Sequence, residues 1–508
     1  MRQIKLYTLL FMFPFIISGC TDWLDGAIPK DQNLEESQYA TEKGTNAVLN
    51  GIYRELSSET LYGGRLTMTG TELLANYHYY EENLLNKENM TFFNHMSTHK
   101  YGESDVMSYF SSIWSASYKT IFRINNFIAN VAAANTVSEA KKNVLLGEAY
   151  ALRAFIHLDL FRLFGDSVQT IPYNRSDEVI PHDPVASITE FFNLLLSDIS
   201  QAKTLLQNDP VRTDGIKDFA DLSNAEVSRI DAEEIFAEYM RNHRLNYFAV
   251  LALQARALAF QGKLQEAAQV AQTVLDEAFG EGKAFNWADK SKIIDLFGGR
   301  DYCFYSEILF GIYNMDLYSR SSAYVLGNQP GSTYTVYIDN LQNNIFGQDI
   351  TDNDISLWED IRAMQWLQSS IGGGQYVSVK FGHFASLMEN NPKDYFQPLI
   401  RTGELHYIIA ENMIQSGRIS EAITYLNDFR FHRGVQYSSL PDPAVTTEET
   451  AYNILESEYY KEFYGEGQAF FYLKRRGSNK IFNPNRTGKK DISLESYLIP
   501  IPENELNN

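Results

Sequence analysis

The sequence predicts a mainly α-helical fold assembled from helix pairs, with an irregular, aromatic-rich region set into it. Three observations carry this. Apolar residues recur at three- and four-residue steps over long stretches, which is the period of a helix face. The run Gly262 to Ala267 is matched by Gly417 to Ala422, each a glycine turn between two helical stretches. Between these copies, from about Gly280 to Pro398, the helical period is lost over a length that compact domains keep for functional insertions.

The N-terminus reads as an address. Arg2 and Lys5 precede an apolar stretch, Leu6 to Ile17, too short for a comfortable membrane span. Ile17-Ser18-Gly19-Cys20 follows, in the order of a bacterial lipobox, where the cysteine is acylated and becomes the new N-terminus. A signal peptide over 1–19 is therefore expected, then a lipid-anchored tether over 20–30 and a single body over 31–508. Several acyl chains on Cys20 make a stable anchor. No other apolar run reaches the length of a membrane helix. The chain has 2 cysteines, so no disulfide framework exists, and an acylated Cys20 leaves Cys303 without an intrachain partner.

The body is predicted helix by helix. Thr45 to Leu56 places Val48, Ile52 and Leu56 on one face. Trp114, Tyr118, Ile121, Asn125 and Ile128 mark the packing face of a long helix, which makes Trp114 core. Leu146 to Phe164 is apolar nearly all round and predicts a buried central helix ending at Gly165. Its charged residues, Arg153, Asp159 and Arg162, then need partners in or beside the core. Ile188 to Leu206 is a further amphipathic helix. In the two matched copies, Ala255 and Ala410 stand seven residues before the turn glycine, and Ala267 and Ala422 open the second helix. Glycine at the turn and small residues at the crossing are what a tetratricopeptide-like pair requires. The scaffold is expected over about 31–280 and 399–508, with the insertion over about 280–398. Within the insertion, Glu307 to Tyr313 reads as a strand.

Charge and motif content narrow the function. A net charge of −21 excludes nucleic acid as the default partner and disfavours an anionic polysaccharide unless a local patch is basic. No HExxH, Cys-x-x-Cys, P-loop or nucleophile elbow occurs, and no cofactor or metal is expected. Gly372 to Gly374 lacks the Lys-Ser/Thr of a P-loop. Asp349, Asp352 and Asp354 lack the spacing of a calcium loop. With 64 acidic residues, a glycosidase dyad is not readable from sequence.

Several segments resemble one family. Gly147-Glu148-Ala149, Leu152 to Phe155, Asp159-Leu160 and Arg162 to Asp166 resemble a signature of the SusD/RagB family of outer-membrane nutrient-binding lipoproteins. The Trp114, Tyr118, Ile121, Asn125 spacing is similar to a second. Asp22, Leu24, Asp25 and Pro29 resemble the leader that follows the lipid. Glu462-Phe463, Glu466-Gly467, Phe470-Phe471, Leu473, Arg475 and Gly477 resemble a C-terminal segment, and Tyr497 to Asn507 resembles the closing one. Ala469 and Tyr472 stand where the family usually has Arg and Asp, so one of its structural ion pairs is expected to be missing. The resemblance implies a binding subunit without catalysis. Such a subunit caps a SusC-like TonB-dependent porter at the outer membrane, facing the exterior, and hands it oligosaccharides. A peptide ligand of the RagB kind, or a lipid-anchored glycoside hydrolase, are the alternatives.

Aromatic residues are the feature left for ligand contact, because their rings stack on sugar C–H faces or anchor peptides. The resemblance implies ligand residues from the two irregular regions, 57–107 and 280–398. Tyr77, Tyr79 and Tyr80 are the candidates in the first, and Tyr318, Tyr324 and Trp366 in the second, within a run that also holds Tyr302, Tyr305, Tyr313, Tyr334, Tyr337 and Trp358. For Trp366 two readings stand. A helix over Ser356 to Ile371 turns the indole away from the apolar side, as a ligand platform. A hairpin turning at Gly372 to Gly374, with Tyr376 to Phe381 returning, puts Trp366 on one face with Met364 and makes it core instead.

Overall fold

The computed structural model describes residues 38–77, 87–178, 185–217, 239–294, 301, 303–324, 336–337, 345–346, 359–363, 366–368, 375–378, 380–381, 395–436, 440–483 and 488–502. The architecture is mostly helical with a few short strands, as the periodicity predicts. Cys20 lies outside the described residues. No helix among the described residues is long and apolar enough to cross a membrane.

The N-terminal helices form as their caps and stripes require. Helix α1 (Glu42–Leu56) starts at Thr41, whose hydroxyl accepts from the Gly44 N–H, and it buries Leu49, Ile52, Tyr53 and Leu56. Two short helices follow, α2 (Gly70–Leu74) and α3 (Lys87–Ser97), then the long α4 (Ser104–Ala133). Trp114 is 1 % exposed in α4, so it is core. Helix α5 (Glu139–Phe164) is buried without a break from Ala151 to its end. It packs between α4 and α6 (Ile188–Leu205). Gly147 sets that approach: a Cβ there would come 2.6 Å from Leu206.

The charges of α5 find partners, as burial demands. Arg153 donates to both carboxylate oxygens of Asp198 at 2.7 and 2.8 Å and to Asn125 at 2.9 Å. Arg162 donates to Asp159 at 2.7 Å and to the Gln468 amide oxygen at 2.6 Å. Glu148 accepts from Arg241, which Asp209 also holds.

After the short α7 (Val211–Asp214), the two matched copies appear as α8 (Tyr247–Phe260) with α9 (Leu264–Ala278), and α12 (Thr402–Gln415) with α13 (Ile419–His432). Gly262 and Gly417 turn each pair at φ +85° and +75°, a region that favours glycine. Ala255, Ala267, Ala271, Ala410 and Ala422 are fully buried at the crossings. Helix α9 packs on α12, so the copies stack directly on one another. Helices α14 (Glu448–Glu462) and α15 (Gln468–Arg476) close the scaffold. Tyr472 stacks on Tyr459 at 4.0 Å.

Two more short helices lie between the copies, α10 (Lys290–Ile294) and α11 (Leu317–Tyr324). The expected strand forms as β1 (Ile308–Tyr313) and pairs antiparallel with β5 (Phe396–Arg401). Tyr313 faces Phe396 in that register, so residues 314–395 leave and re-enter the body at one place. This excursion is narrower than the 280–398 insertion expected, because Ile308, Leu309 and Phe310 are core. Inside it, β4 (Gln375–Ser378) is flanked by β2 (Val336–Tyr337) and β3 (Trp366–Gln368). The helix reading of Ser356 to Ile371 is therefore corrected: Trp366 pairs with Ser378 in an antiparallel arm. Backbone pairing to β4 satisfies those amides, and this pattern displaces the helical one. A separate two-stranded ribbon, β6 (Lys480–Phe482) with β7 (Lys489–Asp491), lies near the C-terminus.

The C-terminal segment explains how the excursion is held. Glu462 accepts from Arg362 at 3.0 Å, from Arg401 at 2.5 Å and from Arg433 at 2.7 and 3.0 Å. Glu466 accepts from Lys380 at 2.5 Å and from Arg401 at 3.0 Å. Arg362 and Lys380 belong to the excursion, so two scaffold acids clamp it at its base.

Candidate ligand cleft

The two irregular regions meet, and backbone geometry brings them together. The turns after α1 expose the carbonyls of Ser57 and Gly63, and Arg320 on α11 donates to both. A Cβ at Gly63 would come 2.0 Å from the Ser57 carbonyl oxygen, so only glycine fits this turn. Gln397 donates to Thr67 Oγ1 at 2.7 Å and accepts from Asn314 at 2.9 Å. Met68, Leu317 and Phe381 close a small apolar cluster beneath. The excursion is thus seated on segment 57–77.

Where β1 ends, a cavity of about 470 Å³ opens beside this seam. Asn50, Tyr53, Arg54 and Ser57 form the α1 wall, Tyr313, Asn314, Met315 and Asp316 the opposite wall, and His243 with Arg244 line it between them. Tyr313 is half-buried, with its ring 5.4 Å from that of Tyr395, and burial raises its phenol above the usual range. Met315 is 75 % exposed, an apolar group at the mouth. Asp316 accepts from Arg320 at 2.7 Å. His243 lies flat on Phe396 at 3.9 Å, and burial together with Arg244 holds its imidazole well below the ordinary value, hence neutral at pH 7. Arg244 lies 4.4 Å over the Tyr53 ring and donates to Asn50. Tyr53 is itself fixed, donating to Glu148 at 3.0 Å and accepting from the Leu245 N–H at 3.1 Å.

These groups offer ring surface, amide hydrogen bonding and positive charge, the usual content of a small-molecule cleft. Among the described lining residues Asp316 is the single carboxylate. A glycosidase needs two that flank the bond. Among the described residues no group of three or more His, Cys, Asp or Glu is arranged to hold a metal ion.

The residues singled out from the sequence scatter. Tyr77 is 3 % exposed and packed between Tyr460 and Tyr464, with ring centroids at 5.0 and 4.9 Å. Buried against these two rings, it belongs to the core and offers no surface to a ligand. Tyr305 is likewise buried, against Phe396. Tyr318 is half-buried on the first turn of α11, just beyond Asp316. Tyr324 ends α11 and Trp366 opens β3, and the side chains of both lie outside the described residues. Tyr79, Tyr80, Tyr302, Tyr334 and Trp358 lie outside them altogether, as do Asp349, Asp352, Asp354 and Gly372 to Gly374. Sequence reasoning missed Asn50, Asn314 and Arg244. The signal for the last was present: Arg241-Asn242-His243-Arg244 is a dense basic run in an acidic chain.

Comparison with known proteins agrees with the fold. Residues 271–508 match the model of the SusD family, and residues 22–230 match a SusD-like model described as starch-binding, associating with the outer membrane. A SusD-like protein of Formosa agariphila is 23 % identical across 100 % of this chain and 97 % of its own. A SusD superfamily structure from Bacteroides thetaiotaomicron superposes with a TM-score of 0.64 at 20 % identity, covering 92 % of this chain and 98 % of that one. A SusD-like carbohydrate binding protein from Bacteroides vulgatus superposes with a TM-score of 0.59 at 17 % identity, covering 92 % and 96 %. With both halves matched by family models and the paired-helix scaffold in place, the chain belongs to the SusD/RagB family.

Proposed function

We propose that this protein is a cell-surface binding subunit that captures oligosaccharides and passes them to a SusC-like TonB-dependent porter, without catalysing a reaction. Cys20 carries the lipid that anchors it in the outer membrane, and the cleft faces the exterior. The observation that carries the reading is the cleft at the seam of the two irregular regions, with the half-buried Tyr313 and the exposed Met315 at its mouth and a single carboxylate among its described lining residues. Rings placed this way stack on sugar C–H faces, while the half-buried Asn50 offers its amide to hydroxyls. Tyr318, half-buried just beyond Asp316, extends this ligand face, and Tyr324 and Trp366 are proposed as further ligand residues.

Calorimetric titration of the protein against a glycan panel tests this. Binding without turnover is expected. Tyr313→Ala and Trp366→Ala should each weaken it by about 1–2 kcal/mol, as lost stacking contacts do, with melting temperature nearly unchanged. Hydrolysis of a bound glycan would overturn the binding role. On this reading the protein delivers its ligand to a porter, so extraction in mild detergent should recover it with a large β-barrel porter. Migration alone, with the porter present, would refute that partnership.

A further inference from the structure

We infer that the cleft selects an acidic sugar, with the carboxylate of a uronate unit held against Arg244. This rests on the reading of the cleft as an oligosaccharide site.

Arg244 is 4 % exposed. A guanidinium buried to that extent is normally compensated by a carboxylate, because an unpaired charge inside a protein is costly. Its neighbours obey the rule. Arg241 is held by Glu148 at 2.6 Å and by Asp209 at 2.8 Å, and Arg256 by Glu404 at 2.6 Å. Arg244 has no carboxylate partner among the described residues. Its Nη2 donates to the neutral amide of Asn50, its face rests on Tyr53, and its Nη1 is buried without an acceptor. Glu148, which Tyr53 reaches through its hydroxyl, is already taken by Arg241.

The cleft is therefore a place where a buried positive charge has no counter-charge among the described residues. A carboxylate suits it, since guanidinium and carboxylate match as planar, two-pronged partners. Nη1 is covered by its neighbours, so an incoming carboxylate engages it after a rotation of the guanidinium toward the cavity. Arg54, exposed in the last turn of α1, adds a second positive charge to the lining. The one lining carboxylate, Asp316, is offset by Arg320. The net charge of −21 does not oppose this at close range. Screening over about 8 Å at physiological ionic strength lets the lining charges outweigh distant ones. The requirement that an acidic ligand meet a locally basic patch is satisfied here.

The test is calorimetric titration with oligogalacturonate, alginate and glucuronoxylan oligomers, each beside its carboxyl-reduced counterpart. At least one acidic oligomer should bind ten or more times tighter than its reduced form, with affinity falling as salt rises. Arg244→Met should bring the two forms to equal affinity. Arg54→Gln, at an exposed helix end, should weaken the acidic form alone, and it serves as the second readout if Arg244→Met melts early. Equal affinity of every acidic and reduced pair in the unaltered protein, with Tyr313→Ala weakening both, overturns the uronate inference and leaves the cleft. Binding of neutral glycans only, lost in Tyr313→Ala, does the same. Binding of no glycan of either kind overturns both.

Discussion

Glu462→Gln removes the charge on which the base of the excursion is built. Its carboxylate meets Arg362, Arg401 and Arg433, all essentially unexposed, and these three guanidiniums hold its carboxyl well below the usual range despite its burial. Removing one partner of a buried ion pair costs about 3–5 kcal/mol, mostly because the other charge is left uncompensated. Here each arginine keeps another acid: Glu307 on Arg433, Asp360 and Glu458 on Arg362, Glu466 on Arg401. The low end of that range, about 3 kcal/mol, is therefore expected. At about 2.1 cal/mol/K per residue, 508 residues give an unfolding entropy of about 1 kcal/mol/K. Scanning calorimetry should then show melting lowered by about 3 °C, treating the body as one cooperative unit. Glu139→Gln is the control, since Glu139 is 83 % exposed in its pair with Lys142, and its melting should be unmoved. Equal shifts in the two variants would refute the clamp. The sign with pH follows from the depressed carboxyl: the stabilisation is present above the ordinary carboxylate range and is lost as pH falls through the depressed value. The difference between parent and Glu462→Gln should shrink in acid.

Glu72 gives the opposite pH signature. Burial raises its carboxyl from 4.5 to about 8, although the Gly467 N–H donates to it at 3.0 Å. Its protonated form is stabilising below 4.5, and that contribution is lost as pH rises toward 8, so Glu72→Gln should gain on the parent over this window; a melting difference constant from pH 4 to 8 would defeat the assignment. Cys20→Ala should leave a folded protein released from the membrane, because acyl chains on Cys20 are the proposed anchor; unchanged retention and palmitate labelling in fractionated cells would remove the lipobox.

Much of the scaffold was legible in the chain. Period and small residues specify helices and their crossings locally, so Gly262, Gly417 and the buried alanines announced the stacked pairs, and the apolar girth of α5 announced its depth. The segment Glu307 to Tyr313 announced β1 for the same local reason. The cleft was less legible. Its walls come from α1, from residues 243–244 and from residues 313–316, far apart in sequence, and aromaticity alone does not separate Tyr313 at a mouth from Tyr77 in a core. Trp366 shows the limit of local pattern: apolar residues at three- and four-residue steps from Leu357 to Ile371 fitted a helix, but pairing with β4 decided for a strand.

The sequence by itself determined the main scaffold helices and the turns of the two matched pairs, that Arg153, Asp159 and Arg162 required partners, and that Trp114 would be core, because these follow from spacing along one chain. The tertiary structure alone decided which acids answer which arginines. Glu462 gathers Arg362, Arg401 and Arg433 from three segments, whereas Arg244 meets no carboxylate among the described residues. Compensation of a buried charge depends on which side chains converge in space, and no periodicity along the chain encodes that.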